Sequence, residues 1–502
     1  MKTLSILCVV LFSLSLNAQS YRVYFSDKGE NEALLQNPQA FLSAKAIDNK
    51  AKRNTVIDRA DLPVSKSYLN TLSGLDLTIK MKSRWFNYAL VSGEDVYEKV
   101  SGLPFVIKVE QAQKYPVVFA GEGAKTTANL AYGESANQIE MLNGDYLHDL
   151  NNLGQGMTIA VLDGGFSGAN AISGLDTLRM SGRLLGTYNF VDNDTNVFTV
   201  GNHGTDVLSI MAGYVDSAFV GTAIRANYWL LKSENQAAET TAEMDNWLAA
   251  AEFADSVGAD IITSSLGYNT FDGGIGDLSY SDMDGNTALV TRAADMAAKK
   301  GILVITSAGN EGNSAWKYIL APADGDSVLT IGGVDEFRNY ASFASQGPTA
   351  DGRIKPTVSA RAAGTAYVST VVRRGNGTSF SCPVISGLAA CLWQEYPTKT
   401  NMEIYEAIRT TASQPNNPNN EIGFGIANFA AASWTISNPE KDVNEFKIEV
   451  YPNPVGEKIF VNLNGVAGNE AVSIKLFNIT GQEIHSVDFG KVDNSEIEME
   501  AP

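Results

Sequence analysis

The sequence predicts an α/β domain built on a parallel sheet flanked by helices, with a small α+β domain before it and a β-sandwich after it. Short apolar runs alternate with helical patterns through residues 137–434, which is typical of parallel strands covered by helices on both faces. In the residues before 137, strand-like and helical runs occur without this alternation. Near the end of the chain, apolar residues alternate at period two between Asn-Pro and Gly turns, which favours a small sandwich.

The length and charge of the chain limit its number of domains and its possible partners. Its 502 residues are enough for roughly three domains, and 44% of them are hydrophobic. The formal net charge of −19 excludes nucleic acid and anionic membrane surfaces as expected partners. Residues 1–18 combine Lys2 with an apolar stretch and end in Ala18, the layout of a secretory signal peptide. No later apolar stretch is long enough for a membrane span, so we expect an exported protein.

The predicted elements follow the chain in order. In the α+β domain we predict strands at 21–25 and 105–109 and helices at 41–52 and 65–73. Residues 117–136 are rich in Gly, Ala and Thr without periodicity, so we interpret them as a linker that can be cut. For the parallel sheet we predict strands at 157–162, 228–231, 260–265, 302–307 and 328–334. Predicted helices lie between them at 204–212, 242–257 and 288–300. Ligands of such sheets bind outside the carboxyl ends of the strands.

Ser379 opens a buried helix, and this position suits a nucleophile. Gly377 and Thr378 permit a tight turn before it, and the run that follows carries no charge until Glu395. A helix without charges is normally buried. A hydroxyl at its amino end feels the positive end of the helix dipole beside free backbone N–H groups. Ser and Thr are also preferred helix caps, so this stretch alone leaves a purely structural role open.

Three further residues stand at the ends of predicted elements. Asp163 ends the strand of IAVLDGG, His203 opens the helix of NHGTD, and Asn310 ends the strand of ILVITSAGNEG. Each one alone is more simply a turn or helix-start residue. Their order, Asp then His then an amide donor then Ser, is the order in which one class of hydrolases builds a catalytic triad. The other serine hydrolase layout needs G-x-S-x-G, which the chain lacks.

On these residues the chain resembles the subtilisin-like serine peptidases. The matching blocks are IAVLDGGF around Asp163, HGTDVLSIMAG from His203, TSSLG from Thr263, SAGNEG from Ser307 and NGTSFSCPVISG from Asn376. The resemblance spans residues 137–434 and implies the subtilisin-like α/β fold and a peptidase that forms an acyl-enzyme.

The resemblance implies a role for each motif residue. Ser379 would be the nucleophile, His203 the general base and Asp163 the carboxylate that orients the imidazole. Asn310 and the Ser379 backbone N–H would form the oxyanion hole. The implied substrate-binding residues, on an edge strand and on the facing wall of the primary specificity pocket, are Ser265, Leu266, Gly267, Ser307, Ala308 and Gly309.

One position next to the implied base departs from the family pattern. Asp206 stands where many members carry a second histidine, and we expect no effect on the triad. Many relatives bind calcium, but the acidic loops here match no fixed ligand pattern; their residues are Asp192, Asp194, Asp282 and Asp284. We therefore expect no required cofactor, assign no metal ligand, and leave a structural calcium ion open.

The resemblance also covers the flanking regions. The first domain resembles the pro-segments that help these enzymes fold and block the active site, which implies a zymogen. The tail, with YPNP from Tyr451, resembles the C-terminal sorting domain of type IX secretion substrates without its last strands, so we expect it to be truncated. The predicted domains are a signal peptide at 1–18, a pro-segment at 19–116, a linker with the processing site at 117–136, the peptidase domain at 137–434, a linker at 435–446 and the sorting domain at 447–502.

We therefore predict a secreted or cell-surface serine endopeptidase, exported through the periplasm. Its expected partners are protein or peptide substrates, its own pro-segment as inhibitor, and the secretion machinery. Two alternatives stay open: a catalytically silent surface or binding protein that keeps the fold, and a maturation peptidase dedicated to one partner. A silent protein would not need all four motif residues, which are Asp163, His203, Asn310 and Ser379.

Overall fold

The computed structural model describes residues 20–112, 131–237 and 239–437, together with five strands of the C-terminal region. The chain forms two compact units, Met1–Ile436 and Ser437–Pro502. The predicted signal peptide and most of both predicted linkers lie outside the described residues.

The first region of the large unit is an antiparallel sheet with helices. Its strands are β1 (Ser20–Phe25), β2 (Thr78–Ser83), β3 (Tyr88–Ser92) and β4 (Val106–Ala112), and its helices are α1 (Ala44–Lys52), α2 (Lys66–Ser73) and α3 (Val96–Val100). The strand order is β2-β3-β1-β4. Val23, at the centre of β1, is fully buried and pairs with Ala89 on one side and Val109 on the other. This arrangement confirms the predicted α+β class.

The second region of the large unit contains the predicted parallel sheet. In chain order its strands are β5 (Thr158–Asp163), β6 (Leu184–Asn189), β7 (Tyr214–Val215), β8 (Phe219–Val220), β9 (Asn227–Lys232), β10 (Ile261–Ser264), β11 (Leu303–Ser307), β12 (Leu329–Val334), β13 (Val358–Arg361), β14 (Thr365–Val368) and β15 (Val372–Gly375). Seven of them form a parallel sheet in the order β13-β12-β11-β10-β5-β9-β6. The pairs β7-β8 and β14-β15 are short and antiparallel.

Helices cover both faces of this sheet. They are α4 (Ala136–Glu140), α5 (Asp145–Asp149), α6 (Asp176–Met180), α7 (His203–Ala212), α8 (Ala242–Val257), α9 (Leu289–Lys299), α10 (Thr378–Glu395), α11 (Asn401–Thr410) and α12 (Phe429–Ser437). Along β5, Ile159 and Val161 join the core with α7 and α10, while Ala160 and Leu162 join the core with α8 and α9. Successive strand residues point to opposite faces, so both faces of β5 are apolar. Among the described helices, none combines the length and apolar character that a membrane crossing requires.

All five strands predicted for the parallel sheet are present, as β5, β9, β10, β11 and β12. The two edge strands, β6 and β13, were not predicted from the sequence. β6 has the sequence LLGTYN and is mostly half-buried, and β13 has only four residues and ends in an arginine. Neither one gives the continuous apolar run of a central strand.

The end of the predicted linker, residues 131–136, is packed within the large unit. Glu134 is 5% exposed, and its Oε2 lies 2.7 Å from Arg374 Nη2. The Glu134 backbone N–H donates to the Ala218 carbonyl oxygen at 3.0 Å. Residues 131–136 are therefore not an exposed linker, and we expect the processing site between residues 112 and 131.

The small unit is antiparallel, in agreement with its period-two pattern. Its strands are β16 (Lys447–Tyr451), β17 (Lys458–Asn464), β18 (Ala471–Phe477), β19 (Glu483–Lys491) and β20 (Glu496–Glu500). They form one sheet in the order β16-β17-β20 and a second pair, β18-β19. Ile459 and Val461, two residues apart on β17, are both buried, because alternate residues of a strand share a face.

Candidate active site

The end of β5 and the start of α7 bring Asp163 and His203 together. The Asp163 side chain is 1% exposed, and its Oδ1 and Oδ2 lie 2.9 and 3.0 Å from His203 Nδ1. Gly204 allows this approach, because a methyl group on its Cα would lie 2.9 Å from Asp163 Cβ. The other ring nitrogen, Nε2, is therefore available to a group on the side of the imidazole away from Asp163.

Opposing effects set the pKa of His203. Burial lowers it, because a desolvated imidazolium ion is costly, while the charge of Asp163 and the hydrogen bond to it raise it. The net result is a pKa above the ordinary histidine value. The Asp163 carboxylate thus stabilises the imidazolium form, which a general base needs once it has taken a proton.

Ser379 lies in the first turn of α10, beside the carboxyl end of β10. Its Oγ lies 3.4 Å from the Ser265 carbonyl oxygen, and Ser265 Oγ donates to the Ser379 carbonyl oxygen at 3.0 Å. The ring of the next residue, Phe380, is 6.3 Å from the His203 imidazole between centroids. The starts of α7 and α10 therefore meet at the same sheet edge as Asp163.

Asn310 is held by the residue that precedes Ser379. Its Oδ1 accepts hydrogen bonds from the Thr378 backbone N–H at 2.8 Å and from Thr378 Oγ at 3.2 Å. The single hydrogen of this hydroxyl is shared between Asn310 Oδ1 and the Gly309 carbonyl oxygen, which lies 2.9 Å from Thr378 Oγ. The hydrogen bonds from Thr378 to the amide oxygen fix the orientation of the Asn310 side chain. The Nδ2 hydrogens of Asn310 can then donate to another group, such as a developing oxyanion.

The two predicted substrate walls face each other across a leucine. Residues 265–267 follow β10, and residues 307–309 are the last residue of β11 and the two after it. These two strands are neighbours in the sheet. Leu320 lies between the walls. A methyl group on Gly267 would meet its Cβ at 2.8 Å, and one on Gly309 would meet its Cγ at 2.9 Å. The leucine therefore fills part of the space between the walls.

Family profiles match three regions of the chain. The subtilase family profile (Peptidase S8) matches residues 154–425. A Peptidase S8 propeptide domain of Bacteroidota matches residues 20–128, and a secretion system C-terminal sorting domain matches residues 449–501. Subtilisin E of Bacillus subtilis (strain 168) is 30% identical over 301 residues, which cover 59% of this chain and 70% of that protein. The chain belongs to the subtilase family.

One further relative and one solved structure cover similar shares of this subtilase. The thermophilic serine proteinase of Bacillus sp. (strain AK1) is 28% identical over 292 residues, which are 57% of this chain and 63% of that protein's length. The crystal structure of MycP1 from the ESX-1 type VII secretion system has a TM-score of 0.46 at 20% identity, covering 64% of this chain and 91% of that chain. This subtilase is a serine peptidase with a pro-segment, and its type IX sorting domain indicates export to the cell surface or secretion.

The surroundings of Asp206 bear on the expectation that it has no effect on the triad of this subtilase, which stays a prediction. Asp206 lies one turn after His203 on α7 and is 7% exposed, with Oδ2 accepting from Asn202 Nδ2 at 3.0 Å. Burial raises the pKa of Asp206 to about 7, although the positive charges of His203 and Arg373 oppose the rise. Repulsion from Asp163 adds to the rise. In turn, the charge of Asp206 contributes to the raised pKa of His203.

We expect Asp206→Asn to shift the pH profile of the subtilase without lowering its plateau. With a pKa of about 7, the Asp206 carboxyl carries only part of its charge on the acid limb. Removing it lowers the pKa of the imidazole slightly, so the acid limb of kcat/KM should move to lower pH by at most about half a unit. Asparagine still accepts from Asn202, so the local fold is kept. A pH series on a peptide substrate measures the shift. An acid limb that stays at the wild-type pH would show that Asp206 does not act on His203.

Sequence reasoning missed three glutamates near the carboxyl end of β5. Carboxylate oxygens from Glu234, Glu239 and Glu243 lie within 4.8 Å of one another, and burial, reinforced by neighbouring carboxylates, raises the pKa of each. Their close spacing before and within α8 is the sequence signal that could have found them. Among the described residues, this is the group that could hold a metal ion. The four aspartates of the acidic loops accept hydrogen bonds from nearby residues; they are Asp192, Asp194, Asp282 and Asp284.

Proposed function

We propose that this subtilase is an exported serine endopeptidase, made as a zymogen, that hydrolyses peptide bonds through an acyl-enzyme. One observation carries the proposal: the hydrogen-bonded pair of Asp163 and His203 lies beside the first turn of α10, which contains Ser379. A pair oriented in this way supplies a base for the serine hydroxyl. A capping role for Ser379 would require no such pair.

The first half of the reaction joins the substrate to Ser379. Its Oγ attacks the carbonyl carbon of the scissile peptide while His203 Nε2 takes the hydroxyl proton. Asp163 keeps the imidazole in the tautomer with its own proton on Nδ1 and stabilises the charged form. His203 then gives the proton to the leaving amine, the C–N bond breaks, and the acyl group remains on Ser379 as an ester.

The tetrahedral intermediates need donors for the carbonyl oxygen. The Ser379 backbone N–H and Asn310 Nδ2 supply them, and Thr378 holds the amide of Asn310 before any substrate arrives. Donors held in advance cost no reorganisation during the reaction. In the second half, His203 takes a proton from water, the hydroxide oxygen attacks the ester, and the proton returns to Ser379 Oγ as the acid product leaves.

The substrate backbone would lie along residues 265–267 as an added strand. Strand addition uses main-chain hydrogen bonds for affinity and side-chain pockets for specificity. Residues 307–309, with Leu320 beside them, would face the side chain that precedes the cut. The packed pro-segment at the start of the large unit supports synthesis as a zymogen.

A serine-reactive phosphonate tests the proposed function. With the pro-segment removed, the folded protein should gain one phosphonyl group on the peptide that contains Ser379, and it should lose casein digestion in parallel. The variant His203→Ala serves as the control, because it keeps the serine but lacks the base, and it should stay unlabelled. A folded wild-type protein that neither takes the label nor cuts casein would favour the catalytically silent alternative.

A further inference from the structure

The gap between the two substrate walls opens beside the reacting atoms of the proposed mechanism. Ser379 Oγ lies 3.4 Å from the carbonyl oxygen of Ser265, in the first wall. Gly309, in the second wall, directly precedes Asn310, and its backbone N–H donates to Thr378 Oγ at 3.2 Å. In the acyl-enzyme the acyl carbon is bonded to Ser379 Oγ and its oxygen faces Asn310. The side chain that precedes the cut is attached to the next carbon, so it has to enter this gap.

The backbone at Leu320 is attached to both walls. Its N–H donates to the Ala308 carbonyl oxygen at 3.2 Å. The next residue, Ala321, exchanges two backbone hydrogen bonds with Tyr268, at 2.8 and 3.1 Å. Ala308 belongs to the second wall, and Tyr268 directly follows the first. The backbone of Leu320 therefore spans the gap from one wall to the other and is held at both ends.

The Leu320 side chain occupies the space between the wall glycines. A methyl group on Gly267 would lie 2.8 Å from both Cβ and Cδ1 of Leu320. A methyl group on Gly309 would lie 2.9 Å from its Cγ and 3.0 Å from its Cδ1. Carbon atoms in contact are normally about 3.5 to 4.0 Å apart. Neither glycine therefore has room for one more carbon atom on the side of the leucine.

Rotation of the Leu320 side chain does not empty this space. The backbone sets the position of Cβ, because side-chain torsions move only the atoms beyond it. Ile319 and Ala321, the two neighbours in the chain, are fully buried. The wall glycine Gly309 is also fixed, because its carbonyl oxygen accepts from the backbone N–H of the fully buried Ser345 at 2.9 Å. The gap cannot widen unless these contacts are lost.

We propose that Leu320 is a specificity-determining residue, which limits the side chain before the cut to that of glycine, alanine or serine. This inference rests on the proposed function, because it concerns the peptide that the serine cuts. A larger side chain would have to share the space that the leucine fills, and overfilling a packed apolar space is unfavourable. One methylene in an apolar pocket already changes kcat/KM by about 10- to 200-fold.

Peptides that differ only in the residue before the cut test this role. With the pro-segment removed, the wild type should cleave the alanine peptide with a kcat/KM about 100-fold above that of the phenylalanine peptide. Leu320→Ala should raise kcat/KM for the phenylalanine peptide at least about tenfold and leave the alanine peptide almost unchanged. A wild type that cuts both peptides equally well overturns the inference. A folded Leu320→Ala protein with the wild-type ratio of the two peptides overturns it as well.

The matched control is Ile319→Val, at the preceding residue. Ile319 packs in a buried cluster with Ala308 and Ala323, so this change removes one apolar carbon without enlarging the space that Leu320 fills. The ratio of the two peptides should stay at the wild-type value. If Leu320→Ala does not fold, Leu320→Val decides: a ratio shifted towards the phenylalanine peptide supports the role, and an unchanged ratio overturns it.

The outcomes separate this inference from the proposed function. A folded protein that cuts no peptide of the series and takes no phosphonate contradicts the proposed function, and the inference is overturned with it. A protein that takes the phosphonate on Ser379 and cuts the alanine and phenylalanine peptides equally well overturns the inference alone.

Discussion

Replacing Ser379 with alanine should leave the chain uncut and lower the turnover of casein by about a millionfold. The loss is this large because the hydroxyl oxygen forms the acyl bond, and neither His203 nor Asp163 has a role without it. The intact mass followed over time measures processing: the wild type should shed a piece that ends between residues 112 and 131. Turnover is compared after an added protease has removed the pro-segment from both proteins.

Ser381→Ala is the matched control for this loss. Ser381 lies on the same helix and is fully buried, and its Oγ donates to the Gly332 carbonyl oxygen at 2.9 Å. Removing it deletes the same atoms two residues away, with a modest cost in stability and no loss of self-processing. Cleavage of the Ser379→Ala chain at the wild-type position and rate, with no protease added, would contradict the nucleophile role of Ser379.

Most of the parallel sheet and the place of the site could be predicted because both follow from local pattern. Buried parallel strands leave apolar runs, and a polar residue such as Asp163 marks where a run stops. The carboxyl ends of parallel strands share one edge, so residues that end or follow β5, β10 and β11 must lie near one another. The catalytic roles of Asp163, His203, Asn310 and Ser379 stay predictions until the variants are measured.

The features that sequence reasoning missed depend on distant partners. Lys45 and Asp260 are 215 residues apart, and nothing around either one marks it as half of an ion pair. Residues 131–136 have the composition of a linker, but Glu134 is held by Arg374, 240 residues away. Asp206 is buried near the imidazole, and the motif letters HGTD do not reveal that burial. Such contacts are set by tertiary packing, and local pattern carries no signal for them.

Replacing Asp163 with asparagine should lower kcat by about ten-thousandfold while the fold is kept. The Gly164 backbone N–H donates to Asp163 Oδ1 at 2.8 Å, so the amide oxygen of an asparagine would take that place. Its Nδ2 would then face His203 Nδ1, which favours the tautomer with the proton on Nε2. In that tautomer Nε2 already carries a proton, so it has no lone pair to accept the proton of Ser379. Single-turnover and steady-state rates on a peptide substrate, with the pro-segment removed, measure the loss.

The comparison of Asp163→Asn with Asp206→Asn separates orientation from charge. Both variants remove a negative charge that raises the pKa of His203, so both should move the acid limb of kcat/KM to lower pH. Only the Asp163 variant also loses the hydrogen bond that selects the tautomer, so only its plateau should collapse. If both plateaus stayed near the wild-type value, Asp163 would act through its charge alone, and another group would have to hold the imidazole for proton transfer from Ser379.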